Sequence, residues 1–484
     1  MKNRIRPLKV IAVGVCLTVL VIGGATQGQI RSQPKVFAFT QVTIIDVAAS
    51  DSKRALKPSQ TVVVTGDRIT AVGGKVRLPR GAQVIDASGK YLIPGLWDMD
   101  VVGTATVYPF YVVNGVTGVR EMGSGRPIAR LHDIRKSAAE GRLVAPRMVA
   151  TGPALDGPFP GRLLHTSVAN EAEARQGVIT LKQSGADFVS VFAMLSREAY
   201  FAVVDEAKRQ GMPLAGWMPF SVSAAEVSNA GQRSIDNLQT ILPSCSNRAE
   251  EIINKYAEVL RAPTARPQGF RFPVQTLLET YDTKRAAALF GLLAKNGTFV
   301  TPMLTHWAAW RLDFDKDRKD DPRLKYLIPA LKQYWASVQG RWETQLEQTR
   351  EISQPVIQKL LEMVKAMNAA GVRLLAGTGT PAHNFVWPGF SLHEELEWLV
   401  KAGLTPLEAL RAATLNPARF LGKEKELGTV ERGKLADLVL LDENPLEDIR
   451  NTRRIAAVVA NGRYMDKSEL QKMLSELEAA ANRK

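Results

Sequence analysis

With 484 residues, a formal net charge of +15 and 45% hydrophobic residues, the chain reads as globular, with room for one large α/β barrel plus a small appendage or for roughly two to three ordinary domains. The basic balance does not make it a nucleic-acid binder. Lys and Arg are scattered among Asp and Glu, with no arginine-rich run and no recognisable nucleic-acid motif.

At the N-terminus, Lys2, Arg4, Arg6 and Lys9 precede an apolar run over residues 10–25. Residues 1–30 therefore predict an export signal or an uncleaved N-terminal anchor, which would be the chain's one contact with a membrane. Cys16 lies within that run, without the small preceding residues that a lipid-attachment site needs. Once a signal is removed, Cys245 is the only thiol left, so no intramolecular disulfide is expected. The expected location is outside the cytoplasm, periplasmic or extracellular.

Next come "FAFTQVTIIDV", "QTVVVTGDRITAVG" and "AQVIDASGKYLIPG", short β-rich runs broken by Gly-Asp and Ser-Gly turns, the pattern of a small antiparallel sheet. Comparable strands return only in "ADLVLLD" and "IAAVVANGRYM". A composite domain from residues 35–93 plus 425–466 is expected, built from both chain ends.

Between these ends, eight apolar runs alternate with segments of helical periodicity: "LIPGLWDMDVV", "GVTGVREMG", "PRMVATGPALDG", "ADFVSVFAML", "MPLAGWMPF", "QRSIDNLQT", "GTFVTPMLTH" and "VRLLAGTGT". The alternation predicts a parallel sheet, and eight units predict a (β/α)₈ barrel over residues 94–424. Within segment 311–353, Tyr334, Trp335, Val338 and Trp342 recur at helical spacing and read as a packed extra helix before strand eight. Residues 467–484 read as an amphipathic C-terminal helix docked on the protein.

"TVVVTGDRITAVG", "KYLIPGLWDMD", "NGVTGVREMG", "GLTPLEALRAATLNPARFLG", "LGTVERGKLADLVLLDENPLEDI" and "VVANGRY", in this order over residues 36–465, resemble the framework of the amidohydrolase superfamily, in its imidazolonepropionase-like and Xaa-Pro-dipeptidase-like branch. The resemblance implies a metal-dependent hydrolase barrel with a composite β-sandwich domain.

It also shows where the chain departs from the pattern. The first strand of such enzymes ends in His-x-His, and here the two positions are Asp100 and Val102. The metal-bridging lysine of strand four is Ser190, the ligand histidines of strands five and six are Trp217 and Asn237, and the strand-eight aspartate is Gly379. A bound zinc lowers the pKa of its water from 15.7 to about 7, so its loss costs on the order of eight powers of ten in available hydroxide. A positioned general base supplies only ~10²–10⁴. The departures therefore predict no resident metal and no cofactor.

The histidines are His132, His165, His306, His383 and His393, with no His-x-His or His-x-x-x-His pair. His306 and His383 follow strands seven and eight, and with Asp100 they could form a rebuilt metal site. His393, at helical spacing among apolar neighbours, reads as structural. No Gly-x-Ser-x-Gly elbow is present, and Cys245 lacks a motif and reads as inert. "GTGTPA" superficially fits a dinucleotide fingerprint, yet it follows the last strand and precedes no helix that could receive a pyrophosphate.

The strand ends still outline a pocket: Asp100, Arg120, Glu121, Ser190, Trp217, Asn237, Thr301, His306, Thr378, Gly379, Thr380 and His383. Barrel sites lie at this face whatever their chemistry. Trp217 either forms an aromatic wall for a small organic ligand or plugs the space left by a metal. Asp100, Arg120 and Asn237 are the candidates for metal-free acid–base catalysis. The sequence thus predicts not a metal-dependent C–N hydrolase but a ligand-binding or otherwise non-hydrolytic pseudoenzyme taking a small molecule, with two alternatives. One is a metal-independent isomerase, lyase or cyclase in the same pocket; the other is an amide or cyclic-amide hydrolase with a rebuilt metal site. Self-association is left open.

Overall fold

The computed structural model describes residues 36–103, 105–123, 127–158, 165–261, 273–311, 321–329, 331–333, 335, 350–381 and 385–482. The expected export segment, and Tyr334, Val338, Trp342 and His383, lie outside the described residues.

Strands β1 (Val36–Ile45), β2 (Leu56–Thr65), β3 (Arg68–Gly73), β4 (Gln83–Asp86) and β5 (Tyr91–Pro94) open the chain. The strands of the central segment follow: β6 (Leu96–Val101), β7 (Val116–Glu121), β8 (Arg147–Ala150), β9 (Ala154–Asp156), β10 (His165–Ser167), β11 (Val189–Val191), β12 (Leu214–Gly216), β13 (Ser234–Asp236) and β14 (Phe299–Thr301). Finally, β15 (Leu438–Leu441), β16 (Ile455–Ala460) and β17 (Arg463–Asp466) return to the first group. The sheet they complete runs β17-β16-β15-β5-β1-β2-β3, with β4 beside β1.

The small sheet is mixed, not antiparallel, because β1 pairs in parallel with both β4 and β5 while pairing antiparallel with β2. Between β1 and these parallel partners the chain runs out through β2 and β3 and comes back, a return that turn residues alone do not reveal. Phe37, Phe39, Val62, Ile69, Leu438 and Val459 form its core. β15 is buried on both faces, with Leu438 and Leu440 in this core and Val439 and Leu441 in the larger cluster of the barrel.

The barrel is linked neighbour to neighbour. Parallel pairing joins β6 to β7 and β7 to β8, and the Asp187 N–H donates to the Ala150 carbonyl at 2.8 Å to bring in β11. β11 pairs with β12, and β13 with β14. Bridges Trp217–Asp236 and Val300–Leu374 connect the next neighbours, and Val101–Thr380 returns to β6. The eighth segment, 374–380, is held by these bridges and by the Met99 N–H donating to the Ala376 carbonyl at 2.8 Å. β9 and β10 form a side ribbon on β11.

The helices that separate these strands carry their own start signals. Ser196, Ser223 and Thr405 each accept a backbone N–H as N-caps, the last two within capping boxes, and Pro406 follows Thr405 at the first helical position. Between Asp282 and Gly297 the chain has an N-cap and a left-handed C-cap, and it forms helix Thr283–Asn296. Trp97, Met99, Phe188, Phe299, Leu375 and Phe420 form an apolar cluster, on which the polar strand ends rest. Among the described residues, no helix is long and apolar enough to cross a membrane.

Candidate ligand site at the strand ends

Arg120 is fully buried at the heart of the site. Its Nε donates to the Met99 carbonyl at 2.6 Å, one terminal nitrogen to Ser234 at 2.8 Å, and the other to Asp236 Oδ1 at 2.8 Å. Thr301 Oγ1 donates to the same Asp236 oxygen at 2.5 Å, and the guanidinium lies 4.8 Å from the Phe420 ring centre. A guanidinium with its donors committed in this way is an anchor of the barrel interior, not a group free to meet a substrate.

Asp98 precedes Asp100 by two residues on β6 and organises strand eight. It accepts from the Thr378 hydroxyl at 2.6 Å and from the Thr378 and Asp100 N–H groups at 3.0 and 3.2 Å. Burial pushes its carboxyl up to about 7, against the lowering effect of those hydrogen bonds. Asp100 is also buried, and its Oδ2 has no hydrogen-bond partner among the described residues. Its pKa stands well above the usual carboxylate range, first because of burial and then because of the Asp236 charge, opposed by Arg120. Glu121, at the end of β7, instead faces the segment that follows β6, accepting from the Gly103 N–H at 2.7 Å and the Tyr108 hydroxyl at 3.3 Å.

At strand six, Asn237 has φ +69°, which turns the chain out of β13. Its Oδ1 accepts from Trp307 Nε1 at 3.0 Å and from the Gln239 N–H at 3.2 Å, while Nδ2 is buried without a partner among the described residues. On the neighbouring strand end, Trp217 is partly exposed and stacks on Phe192, ring centres 4.3 Å apart at 22°. His165 extends this row, 4.7 Å from Phe192. Ser190 is buried two residues before Phe192.

At strand eight, Gly379 has φ +69°, and a Cβ added there would lie 2.6 Å from Met303 Cε and 2.9 Å from His306 Nδ1. Thr380 shares a 2.5 Å hydrogen bond with the Tyr111 hydroxyl. Val102 is only partly buried. Among the described residues, no group of three or more His, Cys, Asp or Glu side chains could hold a metal ion.

Cys245 is buried and its thiol is pushed up to about 12 by burial, as suits an inert cysteine. His393 is buried between the Thr452 hydroxyl at 2.9 Å and the Asn114 carbonyl at 3.1 Å, so its role is structural. Another cleft, of about 880 Å³, lies beside helices Leu304–Arg311 and Phe390–Lys401 and is lined by none of the strand-end residues named above. Its arginines are already paired, Arg323 with Asp321 and Glu394, and Arg453 with Glu397.

Asp98, Asp236, Phe192, Met303 and Trp307 were not among the residues expected at the site. Asp98 and Asp236 do stand two and one residues before expected ones, and that proximity was the available signal. Met303 and Trp307 arrive through the helix after β14, and only the fold reveals them.

This α/β architecture is the fold of amidohydrolases of known structure, and part of the sequence is similar to that family. The amidohydrolase family model matches residues 334–465. Ochratoxinase from Aspergillus niger is 42% identical over 83 residues, 17% of this chain and 16% of that protein. Imidazolonepropionase from Geobacillus sp. (strain WCH70) is 36% identical over 114 residues, 22% of this chain and 27% of that protein. The chain thus matches about a sixth to a quarter of the length of these curated relatives. Among solved structures, a bottromycin amidohydrolase superposes with TM-score 0.70 at 23% identity, covering 93% of this chain and 92% of that one. A Xaa-Pro dipeptidase superposes with TM-score 0.64 at 18% identity, covering 89% and 100%.

Proposed function

We propose that this protein keeps the amidohydrolase frame as a small-molecule-binding protein and does not hydrolyse C–N bonds through metal ions. The observation that carries the reading is the crowding at Gly379. The room that an aspartate side chain would need there is taken by Met303 Cε and His306 Nδ1. The other donors fit a metal pair no better: Val102 and Trp217 offer no suitable ligand atom, and Asn237 Oδ1 already serves Trp307 and Gln239. Asp100 alone cannot hold two cations.

Metal analysis of the purified full chain tests this, after incubation with zinc and removal of excess. The expected result is well under one equivalent of retained zinc and no hydrolysis of a Xaa-Pro dipeptide or a cyclic amide. Stoichiometric zinc together with hydrolysis that a chelator abolishes would overturn the reading.

A second reading is favoured by Asp100 itself. A buried carboxyl with an unpartnered oxygen and a raised pKa is suited to proton transfer, as in a metal-independent isomerase or lyase. With Arg120 committed to its neighbours, Asn237 is the remaining expected partner. Once a substrate is known, Asp100→Asn should abolish turnover by about 10² or more while leaving binding intact; unchanged turnover would remove Asp100 from the chemistry.

A further inference from the structure

The Asn237 side chain cannot exchange its oxygen and nitrogen. Its Oδ1 is held by two N–H donors, Trp307 Nε1 at 3.0 Å and the Gln239 backbone at 3.2 Å. Flipping the amide would set donor against donor at both contacts. The NH₂ group is therefore fixed as a donor, and with Asn237 only 1% exposed it has no acceptor among the described residues. A buried donor left without an acceptor is unfavourable, and an acceptor atom brought to it would relieve that.

A second, independent feature lies alongside. Trp217 is bridged in parallel register to Asp236, the residue before Asn237, and adjacent parallel strands run about 4.8 Å apart. The Trp217 indole stacks on Phe192, which in turn packs on His165, and Trp217 keeps part of its surface exposed. The stack holds the indole rigidly, so little side-chain entropy is lost when a flat molecule settles on it. Asp100, on β6 at the same face, adds a buried oxygen without a partner.

We propose that the strand-end site binds a flat, conjugated carbonyl compound, with its plane against Trp217 and its carbonyl oxygen accepting from Asn237 Nδ2. This rests on the ligand-binding reading above and names the ligand class for that site. The two positions that carry it, Trp217 and Asn237, are among those at which the sequence departs from the superfamily pattern.

Benzamide is the probe, titrated onto the full chain by saturation-transfer NMR, with cyclohexanecarboxamide as the non-planar control. Saturable benzamide binding is expected, with several-fold weaker binding of the saturated amide. Asn237→Asp keeps the oxygen that Trp307 and Gln239 need but removes the donor, and it should weaken benzamide by at least about tenfold. Trp217→Leu should weaken it by about threefold to tenfold, whereas Trp217→Phe keeps an aromatic surface and most of the affinity. The Trp217 pair decides the matter if Asn237→Asp lowers the melting temperature too far to use. No saturable benzamide binding, equal binding of the two amides, or an unchanged dissociation constant in Asn237→Asp would overturn the proposal.

Zinc measured in the same samples separates the two readings. Stoichiometric zinc with Asn237-dependent benzamide binding would overturn the metal-free reading and leave the ligand class standing. No zinc and no benzamide binding would overturn the ligand class alone.

Discussion

Arg120 donates to Asp236 at 2.8 Å with both side chains wholly out of water. The pair spans β7 and β13, on opposite parts of the strand ring, and the Met99 carbonyl, Ser234 and Thr301 add further hydrogen bonds. Removing one member leaves the other charge buried and uncompensated. Arg120→Met is expected to cost about 3–5 kcal/mol, read from the urea midpoint, and a double variant that also carries Asp236→Leu should recover much of that loss. A single variant as stable as the parent would show that the pair does not hold the barrel.

Gly379 tests how firmly strand eight is set. Its φ of +69° penalises a side chain by about 1–2 kcal/mol before any contact is counted. Met303 Cε is the mobile tip of a flexible side chain and can give way, whereas His306 Nδ1 belongs to a rigid ring. Gly379→Asp is expected to destabilise the protein by about 1–3 kcal/mol and to leave zinc retention unchanged. Adding Met303→Ala should restore part of the stability, as measured by thermal melting.

Glu395 gives a pH dependence of known sign. It accepts from the Leu304 and Thr305 N–H groups at 3.1 and 2.7 Å, at the start of helix Leu304–Arg311. Burial pushes its carboxyl up to about 7 from 4.5. The folded state therefore holds this proton more tightly, and its contribution to stability is full below pH 4.5 and lost as pH rises through about 7. Glu395→Gln keeps an acceptor and removes the titration. Its urea midpoint should fall less between pH 4.5 and 7 than that of the parent, and identical slopes would exclude Glu395 as the source.

His393, on the same helix, acts in the opposite sense. Burial lowers its pKa from 6.5 to about 3, so the ring stays neutral in the fold. That contribution is present above pH 6.5 and is lost as pH falls toward 3. His393→Gln should flatten the acid limb of the stability profile below pH 6.5, while costing about 1–3 kcal/mol at neutral pH through the lost Thr452 and Asn114 contacts.

The barrel was legible because its cause is local. Apolar runs at regular spacing, capped helices and Gly turns each act over a few residues, and "LIPGLWDMD" or "VRLLAGTGT" carry their own strand signals. The expected site residues came from motif positions, and Asp100, Trp217, Asn237 and Gly379 do stand at or beside strand ends. The parallel pairing of β1 with β4 and β5 could not be read, because turn residues do not say which edge a returning strand takes.

The order of elements and the residues at the strand ends, Asp100 among them, follow from local sequence. What surrounds those residues follows from the packing of remote segments. That packing placed Met303 and His306 against Gly379, directed Arg120 into Asp236, and pinned the Asn237 oxygen with Trp307 so that its nitrogen is left as a donor. The physical reason is that hydrogen-bond saturation and burial belong to neighbours that are remote in the chain. Trp307 lies seventy residues from Asn237 and Asp236 lies 116 from Arg120, separations that no local pattern spans.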